Sequence, residues 1–288
     1  MDFTLKVYRR LLQALIDAGY AFQTFAEFVV SPQSRAVVLR HDVDRLPERS
    51  LVFARLQAEH QVRGSYYFRI VPASFDEGII RAIAGLGHEI GYHYEEMAVE
   101  GQRSKVGRSK VEGREVEGQG EEIEGVLARA LARFEGNLAR MREVVEIKTI
   151  CMHGSPLSRW DSRLLWRRYD YREYGIIGEP YFDVDFSETL YLTDTGRMWD
   201  GERYNVRDKV MSEGLKFEGQ RSKEERIPRF HTTFEIIAAA EAGQLPDRMM
   251  LTFHPQRWTD RALPWVWEWV WQNVKNGVKR EFLIKNDK

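Results

Sequence analysis

Short apolar runs alternate with helix-forming stretches along this chain. The runs predict strands at 37–41, 65–71 and 87–93, and the stretches around them predict helices at 3–19, 47–60 and 75–86. Each step from strand to strand takes about 20–25 residues, which is typical of βα units that build a parallel sheet. Later runs predict further strands at 146–153, 189–194 and 248–254. We therefore predict an α/β fold.

The composition limits the size, partners and compartment of the protein. Hydrophobic residues make up 43% of the 288 residues, enough for a sizeable core, and we predict a single domain over 1–288. The chain has 43 lysines and arginines against 44 aspartates and glutamates, which disfavours nucleic acid and anionic membranes as partners. Its one cysteine excludes an intrachain disulfide. Because no apolar run approaches the roughly 20 residues that span a bilayer, and no secretion signal is visible, we predict a cytoplasmic protein.

Two segments interrupt the strand and helix pattern. Residues 100–124 are rich in glycine and charge and contain no aromatic residue, and a second such stretch lies near 213–227. The hexapeptide Glu-Gly-Gln-Arg-Ser-Lys occurs at 100–105 and again at 218–223, but the sequences around the two copies differ. We predict that both segments are low-complexity loop inserts, flexible and outside the core.

Chemically active side chains recur where the predicted strands end. They are Asp42 and Asp44 after the first of these strands, and His93, His153 and His254 at the ends of three later ones. The carboxyl ends of parallel strands share one edge of the sheet, where α/β proteins keep their chemistry. Acidic oxygens beside imidazoles suit a divalent metal, with one carboxylate left to move a proton. A plain turn is the alternative for the aspartates, and the three histidines placed alike favour the site.

We predict that the other four histidines are structural. His88 begins its strand, so it should lie at the opposite end of the sheet from His93. His41, His60 and His231 have no such placement, although His41 flanks the aspartates and could orient one of them.

Three segments resemble a known family. They are Leu39-Arg40-His41-Asp42-Val43-Asp44, Gly87-His88-Glu89-Ile90-Gly91-Tyr92-His93 and Thr252-Phe253-His254-Pro255. These segments resemble motifs of the polysaccharide deacetylases, the NodB-homology carbohydrate esterases. The likeness is best over about residues 36–97. The first segment, taken together with Cys151-Met152-His153-Gly154-Ser155-Pro156, looks like a divergent branch linked to surface-polysaccharide synthesis.

The resemblance implies a fold and a reaction. The implied fold is a distorted (β/α) barrel with about seven parallel strands. The implied reaction is the metal-dependent removal of an N-acyl (acetyl) group from an amino sugar or polysaccharide precursor, so the expected partner is a carbohydrate substrate. Asp42 is then the general base and His254 the acid that protonates the leaving amine. Asp44 and His93 bind a divalent metal, for which zinc is the expected ion.

The chain departs from the family pattern at one metal ligand. The family has a second histidine four residues after the first, and here that position is Met97, which does not replace an imidazole on zinc. Glu95 and Glu96 could supply an oxygen instead, and His153 could reach in from its own strand end. We favour His153 as the third ligand, because its strand end faces the same rim.

Two further residues are predicted to contact the substrate. Arg159 follows the strand at which the family carries an Arg-Pro-Tyr type segment, and Asp183 follows another apolar stretch. Asp183 and the neighbouring Asp185 could each anchor a substrate hydroxyl or orient a histidine, and the alternative for both is a solvated turn.

The last aromatic stretch and Met97 leave other interpretations open. Four tryptophans between Trp265 and Trp271 suggest a sugar platform, but a closing helix that packs its aromatic residues into the core is the favoured prediction. Met97 favours a second functional hypothesis, in which the barrel has lost its metal and only binds a saccharide or a protein partner. A third hypothesis keeps the metal and cleaves a non-sugar amide.

Overall fold

The computed structural model describes residues 1–103, 119–154, 160–199 and 230–272. Its centre is a curled, all-parallel sheet of seven strands. The strands are β1 (Ala21–Gln23), β2 (Ala36–Val43), β3 (Ser65–Phe68), β4 (Glu89–Tyr94), β5 (Ile150–Met152), β6 (Leu190–Thr193) and β7 (Arg248–Phe253).

Helices connect and cover the strands. They are α1 (Leu5–Asp17), α2 (Phe25–Val30), α3 (Pro47–Glu59), α4 (Glu77–Gly85), α5 (Glu96–Arg103), α6 (Gln119–Val144), α7 (Leu164–Arg168), α8 (Pro180–Asp183), α9 (Thr233–Glu241) and α10 (262–272). Several begin at a side chain that caps the first free backbone N–H groups, as Thr4 does for α1 and Asp76 for α4. Within the described ranges, no helix combines the length and the apolar character that crossing a bilayer requires.

The strand order explains how the sheet curls. Neighbouring strands follow the order β5-β4-β3-β2-β7-β6, and β1 pairs with β2 off this path. β1 lies beside the first residues of β2, through Ala21 opposite Ala36, whereas β3 lies beside the last residues, through Arg40 opposite Ser65. The sheet therefore forms a half-barrel with helices around it, which confirms the predicted α/β class and is consistent with a distorted (β/α) barrel.

β2 separates two sets of side chains by its period of two. Val37, Leu39 and Val43 join the large hydrophobic cluster that packs against the helices. Ala36 and Val38 face the other way, into a smaller cluster inside the curl. Arg40 and Asp42 continue this inner row, so they rise from an apolar floor at the carboxyl edge of the sheet.

β2 is longer than the sequence predicted. We expected the strand to stop at residue 41, but it runs to Val43, so Asp42 is a strand residue and only Asp44 follows the strand. The difference has a physical reason: β3 pairs with residues 40–43, and the charges of Arg40 and Asp42 neutralise each other within the barrel.

His41 belongs to the outer row and has a structural role. Its ring stacks on Tyr66 at a centroid distance of 4.1 Å, and Nε2 lies 3.0 Å from Gln57 Nε2. It therefore does not orient an aspartate of the inner row. His88 precedes β4 and donates from Nε2 to the carbonyl of Ala54 at 2.9 Å, at the end of the strand opposite His93, as predicted.

Helices enter the first predicted insert from both sides. α5 continues through Arg103 and α6 begins at Gln119, which differs from the prediction of a loop over 100–124. The helical ends are held by packing that the charge-rich composition concealed: Glu100 is buried and lies 3.6 Å from Arg129 and 3.8 Å from Arg133 of α6. Residues 104–118, and the second predicted loop near 213–227, lie outside the described residues.

The predicted closing helix is present as α10, but its tryptophans do not pack as predicted. Trp267 is 72% exposed, Trp269 49% and Trp271 44%, so the prediction of core packing is wrong for these three. The buried side of α10 is instead polar, with Glu268 and Gln272 hydrogen-bonded to each other at 2.7 Å. This side faces the carboxyl edge of the sheet, because Arg45 pairs with Glu268.

Candidate functional site

The inner rows of four strands bring the predicted residues to one place. Asp42 lies on β2, His93 on β4, His153 directly after β5 and His254 directly after β7. β4 and β5 are in register at His93 and Cys151, so their inward side chains are neighbours. The carboxyl ends of the strands therefore meet around Asp44.

Three imidazole nitrogens surround the Asp44 carboxylate. Oδ1 lies 3.7 Å from His93 Nε2 and 3.5 Å from His153 Nε2, and Oδ2 lies 3.9 Å from His254 Nε2. Gln256 donates to Oδ2 at 3.0 Å, whereas Oδ1 is buried without a hydrogen-bond partner in the described part of the chain. A buried carboxylate oxygen without a donor is costly, so Oδ1 is suited to a ligand.

The far nitrogen of each ring lies close to an oxygen atom. Nδ1 of His93 lies 2.9 Å from the Cys151 carbonyl oxygen. Nδ1 of His153 lies 3.0 Å from Glu95 Oε2, and Nδ1 of His254 lies 2.6 Å from Asp194 Oδ1. The acceptors of His93 and His254 favour the tautomer that carries its proton on Nδ1, which leaves the lone pair on Nε2, whereas Nδ1 of His153 has no hydrogen bond in the described structure. A lone pair that faces a carboxylate repels it unless a proton or a cation lies between them.

Asp44 is also the carboxylate that lacks an arginine. Asp42 pairs with Arg40 at 2.7 Å, Glu95 with Arg69 at 2.6 Å and Asp194 with Arg257 at 2.9 Å. Among the residues that the structure describes, no lysine or arginine lies within ion-pair distance of Asp44. The surroundings of Asp44 therefore favour a bound cation.

Burial and charge set the protonation states of the site. Burial lowers the pKa of His93 to about 4, despite the opposing charge of Asp42, so its ring is neutral at pH 7. Burial acts in the opposite direction on Asp42, but Arg40 and His93 outweigh it and lower the pKa of this carboxyl. The pKa of Asp44 is also lowered, because the three histidines outweigh its burial. Neutral imidazole and ionised carboxylate are the forms that bind metals.

Two sets of side chains that share His93 can be compared as metal sites, and one of them has all its ligand atoms close together. One atom from each of Asp42, His93 and Cys151 lies within 4.8 Å of the others, and all three residues are buried. In the other set, Asp44, His93 and His153, the ligand atoms do not all lie within 4.8 Å of one another, although Asp44 Oδ1 is near both imidazoles. Ligands of a tetrahedral ion at about 2.1 Å are about 3.4 Å apart, close to the 3.5 and 3.7 Å that separate Asp44 Oδ1 from the two imidazoles.

The donors of Arg40 distinguish the two groups. Nε and Nη2 of Arg40 donate to the two oxygens of Asp42 at 2.9 and 2.7 Å, so each oxygen already has a charged partner. The Asp44 Oδ1 atom has none. Asp44 Oδ1 therefore has the greater need of a cationic partner, whereas the group that includes Asp42 has its ligand atoms closer together.

His254 differs from the other two imidazoles. Burial and Arg257 lower the pKa of His254, but the charge and hydrogen bonds of Asp194 prevail, and the net pKa is raised. Asp194 is itself fixed by donors from the His254 backbone at 2.9 Å and the Trp258 indole at 2.6 Å. His254 is therefore suited to donate a proton near neutral pH.

Of the two predicted substrate contacts, the structure describes only Asp183, and Asp183 does not join this group. Arg159 lies outside the described residues. Asp183 accepts hydrogen bonds from the Tyr171 hydroxyl at 2.6 Å, the Arg172 guanidinium at 2.5 Å and the Glu179 backbone at 2.7 Å. Its carboxylate thereby ties α8 to the preceding segment, and with 10% of its side chain exposed it is not a solvated turn.

The residues near the first histidine divide between site and core. Met97 is fully buried in the large hydrophobic cluster. Glu96 is also buried and bonds to Tyr92 and Asn137. Glu95 faces the site, where it contacts His153 and receives both Nε and Nη2 of Arg69. Burial opposes this ionisation, but His153 and Arg69 lower the pKa of Glu95 to about 2.

Sequence reasoning missed Asp194, Arg40 and Gln256. Asp194 directly follows β6, as Asp44 follows β2, so the same strand-end argument could have identified it. Arg40 could have been found from its spacing, since residues 40 and 42 share one face of a strand. Gln256 carries no such signal, because its position depends on the turn after β7.

A cleft opens beside Asp44 and His153. It has a volume of about 320 Å³ and is lined by Asp44, Arg45, Arg69, Ala73, His153, Gln256, Arg257 and Gln272. The volume lies at the lower end of small-molecule sites.

Comparison with protein-family models, with curated proteins and with solved structures finds no match to this chain. The site is therefore interpreted from its own geometry and from the sequence motifs.

Proposed function

We propose that this chain is a metal-dependent hydrolase that removes an N-acyl group, such as acetyl, from an amino sugar or a polysaccharide precursor. The observation that carries the proposal is the approach of three imidazole Nε2 atoms to Asp44, which has no cationic partner among the described residues. A divalent cation supplies the missing charge, and zinc suits one carboxylate with two imidazoles. The amino-sugar substrate rests on the resemblance of the motifs.

Asp44, His93 and His153 would hold the ion. A divalent ion there supplies Lewis acidity, which lowers the pKa of water and polarises an acyl carbonyl. The Cys151 carbonyl accepts a hydrogen bond from Nδ1 of His93, which leaves Nε2 free and fixes that ring, whereas Nδ1 of His153 lies 3.0 Å from Glu95 without a hydrogen bond in the described structure. For His93, this outer support is the feature that distinguishes a ligand from a histidine that merely lies near an aspartate.

Asp42 is the proposed general base. Its two hydrogen bonds from Arg40 keep it ionised and hold it 3.8 Å from His93 Nε2. The same pairing makes Asp42 a weak base, because its pKa is lowered. It can accept a proton only from water that has been made acidic, so the proposed hydrolysis depends strongly on the metal.

His254 is the proposed general acid. Asp194 raises its pKa, so the imidazolium is available near neutral pH, and Nε2 is the atom that faces the site. From this nitrogen, a proton can pass to the amine as the amide bond breaks. Asp194 acts through His254 as a positioning residue.

A metal-free barrel that binds a saccharide or a protein is the second candidate. Met97 favours it, because a family metal ligand is missing at that position. The burial of Met97 in the core weakens this argument for the second candidate. A histidine at position 97 would not reach Asp44 without rearrangement. Zinc binding by the purified protein separates the two candidates.

The proposal is tested by measuring the free amine released from N-acetylglucosamine and its short oligomers by zinc-reconstituted protein. Wild type and Asp185→Asn should hydrolyse them, because the exposed Asp185 carboxylate bonds to Ser187. Asp42→Asn should be at least about 100-fold slower, since it loses the base. An unchanged rate in Asp42→Asn, or no hydrolysis by the zinc-loaded wild type, would count against the proposal.

A further inference from the structure

The cleft beside Asp44 has a strongly basic lining. Three of its residues are arginines, Arg45, Arg69 and Arg257, and Asp44 is its one carboxylate. The carboxylates that pair with these arginines are Glu268, Glu95 and Asp194, and none of the three lines the cleft. The surface that a ligand would touch is therefore cationic, and a cation at Asp44 would make it more so.

Two of the arginines, Arg45 and Arg257, have N–H groups that are not hydrogen-bonded within the described structure. Arg45 uses only Nη2, which donates to Glu268 at 2.9 Å. Arg257 uses only Nη1, which donates to Asp194 and lies 3.1 Å from His254 Nδ1. In the described structure, Nε and Nη1 of Arg45 and Nε and Nη2 of Arg257 have no hydrogen-bond partner. Nε and Nη2 of Arg257 share one edge of the guanidinium and match the two oxygens of a carboxylate or phosphate, whereas Nε and Nη1 of Arg45 lie on different edges and can each donate a single hydrogen bond.

Gln256 adds a buried acceptor to the same cleft. Its Nε2 donates to Asp44 Oδ2 at 3.0 Å, and because an ionised carboxylate only accepts, this bond fixes the orientation of the amide. The other amide atom, Oε1, is buried without a partner, and the residue is 3% exposed. An unpartnered buried oxygen requires a donor, such as a hydroxyl or amide N–H of a ligand.

We propose that this cleft binds an acidic group of the substrate, a carboxylate or a phosphate, through Arg45 and Arg257, while Gln256 accepts a hydrogen bond from a neighbouring hydroxyl or N–H. The inference rests on the proposed function for the reaction that follows binding. It narrows the substrate from N-acylated sugars in general to acidic ones. The cleft volume of about 320 Å³ fits a group of about the size of one sugar ring.

The test uses three ligands that differ only at one carbon. They are N-acetylglucosamine, its 6-phosphate and N-acetylglucosaminuronic acid, each titrated by calorimetry into the full chain with and without zinc. At least one acidic ligand should bind about tenfold or more tightly than the neutral sugar, since hydrogen bonds to charged groups are strong. The tighter of the two identifies phosphate or carboxylate as the preferred group.

Arg45→Gln provides the decisive variant. The Arg45 side chain is 42% exposed but its partner Glu268 is buried, so circular dichroism must first show that the variant is folded, and glutamine keeps an N–H that can donate to Glu268. The substitution should remove most of the preference for the acidic ligand. Arg35→Gln is the matched control, because Arg35 also forms one ion pair, with Asp247, but precedes β2 instead of following it. This variant should keep the preference.

Equal affinity for the three ligands overturns the inference, as does failure of both acidic ligands to bind or a preference that survives in Arg45→Gln. The proposed function fails separately. If the protein binds no zinc but prefers the acidic ligand, the acidic subsite is supported and the metal-dependent function is contradicted. If the protein binds zinc and hydrolyses only neutral sugars, the proposed function is supported and the acidic subsite is contradicted.

Discussion

Asp42 and Asp44 are two residues apart in the chain, and their partners give them different chemistry. Arg40 occupies both oxygens of Asp42, whereas Asp44 meets three imidazoles and an amide. The division follows from β2, which ends at Val43 and leaves Asp44 in the turn beyond. The spacing of Arg40 and Asp42 on one face of β2 could have predicted their pairing, whereas the partners of Asp44 depend on other strands and on the turn after β7.

Two residues of β5 and its turn compete as the third metal ligand, and a pair of substitutions distinguishes them. We expect His153→Ala to weaken zinc binding by at least about tenfold, because the substitution removes a residue that binds the metal directly. Cys151→Ser should bind zinc nearly as tightly as wild type. The affinities are measured by competition with a chromophoric chelator. The reverse order would show that the buried group of Asp42, His93 and Cys151 holds the ion instead.

Asp194 controls the proton of His254, so its substitution should change the pH profile of hydrolysis. Asp194 raises the pKa of His254, and in Asp194→Asn that pKa should fall. Because the acid must be protonated to act, its activity is lost as pH rises through this pKa, and the alkaline limb should move to lower pH. The measurement is kcat/KM against pH, with Asp185→Asn as control. An alkaline limb at the wild-type pH would exclude His254 as the acid.

At the scale of elements, the period of each strand decides what lies inside the barrel. Glu89–Tyr94 alternates between outward Ile90, Tyr92 and Tyr94, which join the large core, and an inward side chain at His93. Helix and strand positions followed from apolar periodicity, because burial creates that pattern. The ends of α5 and α6 did not, since Glu100 is neutralised by α6 only after folding. The outward tryptophans of α10 also break the rule that aromatic stripes are buried.

Gly91 shows how tightly the floor beneath the site is packed. A Cβ at this position would collide with the Tyr67 ring, whose hydroxyl lies 3.0 Å from Thr149 Oγ1. We therefore expect Gly91→Ala to lower the free energy of unfolding by about 1–3 kcal/mol. Gly85→Ala in α4 is the control, because a Cβ there meets nothing within 4 Å.

The control should stabilise the protein slightly, by up to about 1 kcal/mol, since alanine favours a helix. Both values come from urea unfolding followed by circular dichroism. Equal stability of Gly91→Ala and wild type would mean that Tyr67 moves aside easily and does not support β4.

At the scale of the whole molecule, the site exists only when the sheet is assembled. Its residues come from β2, β4, β5 and β7, and the sheet order places these strands on both sides of β2. The sequence could predict this meeting point, because alternating elements imply a parallel sheet and parallel strands share an edge. It could not predict that Asp194, which follows β6, would lie beside His254. That position depends on the pairing of β6 with β7, which is set by the strand order of the sheet. Binding a cation to such a composite site should stabilise the folded chain.

We propose that a divalent cation binds at Asp44, and the zinc content of the purified protein tests this claim. Wild type and Asp42→Asn, reconstituted with zinc and dialysed, should each retain about one zinc ion per chain, whereas Asp44→Asn should retain much less. Elemental analysis gives the content, and circular dichroism shows that each variant is folded. A wild-type chain that retains no zinc, or a folded Asp44→Asn that retains as much as wild type, would contradict the claim.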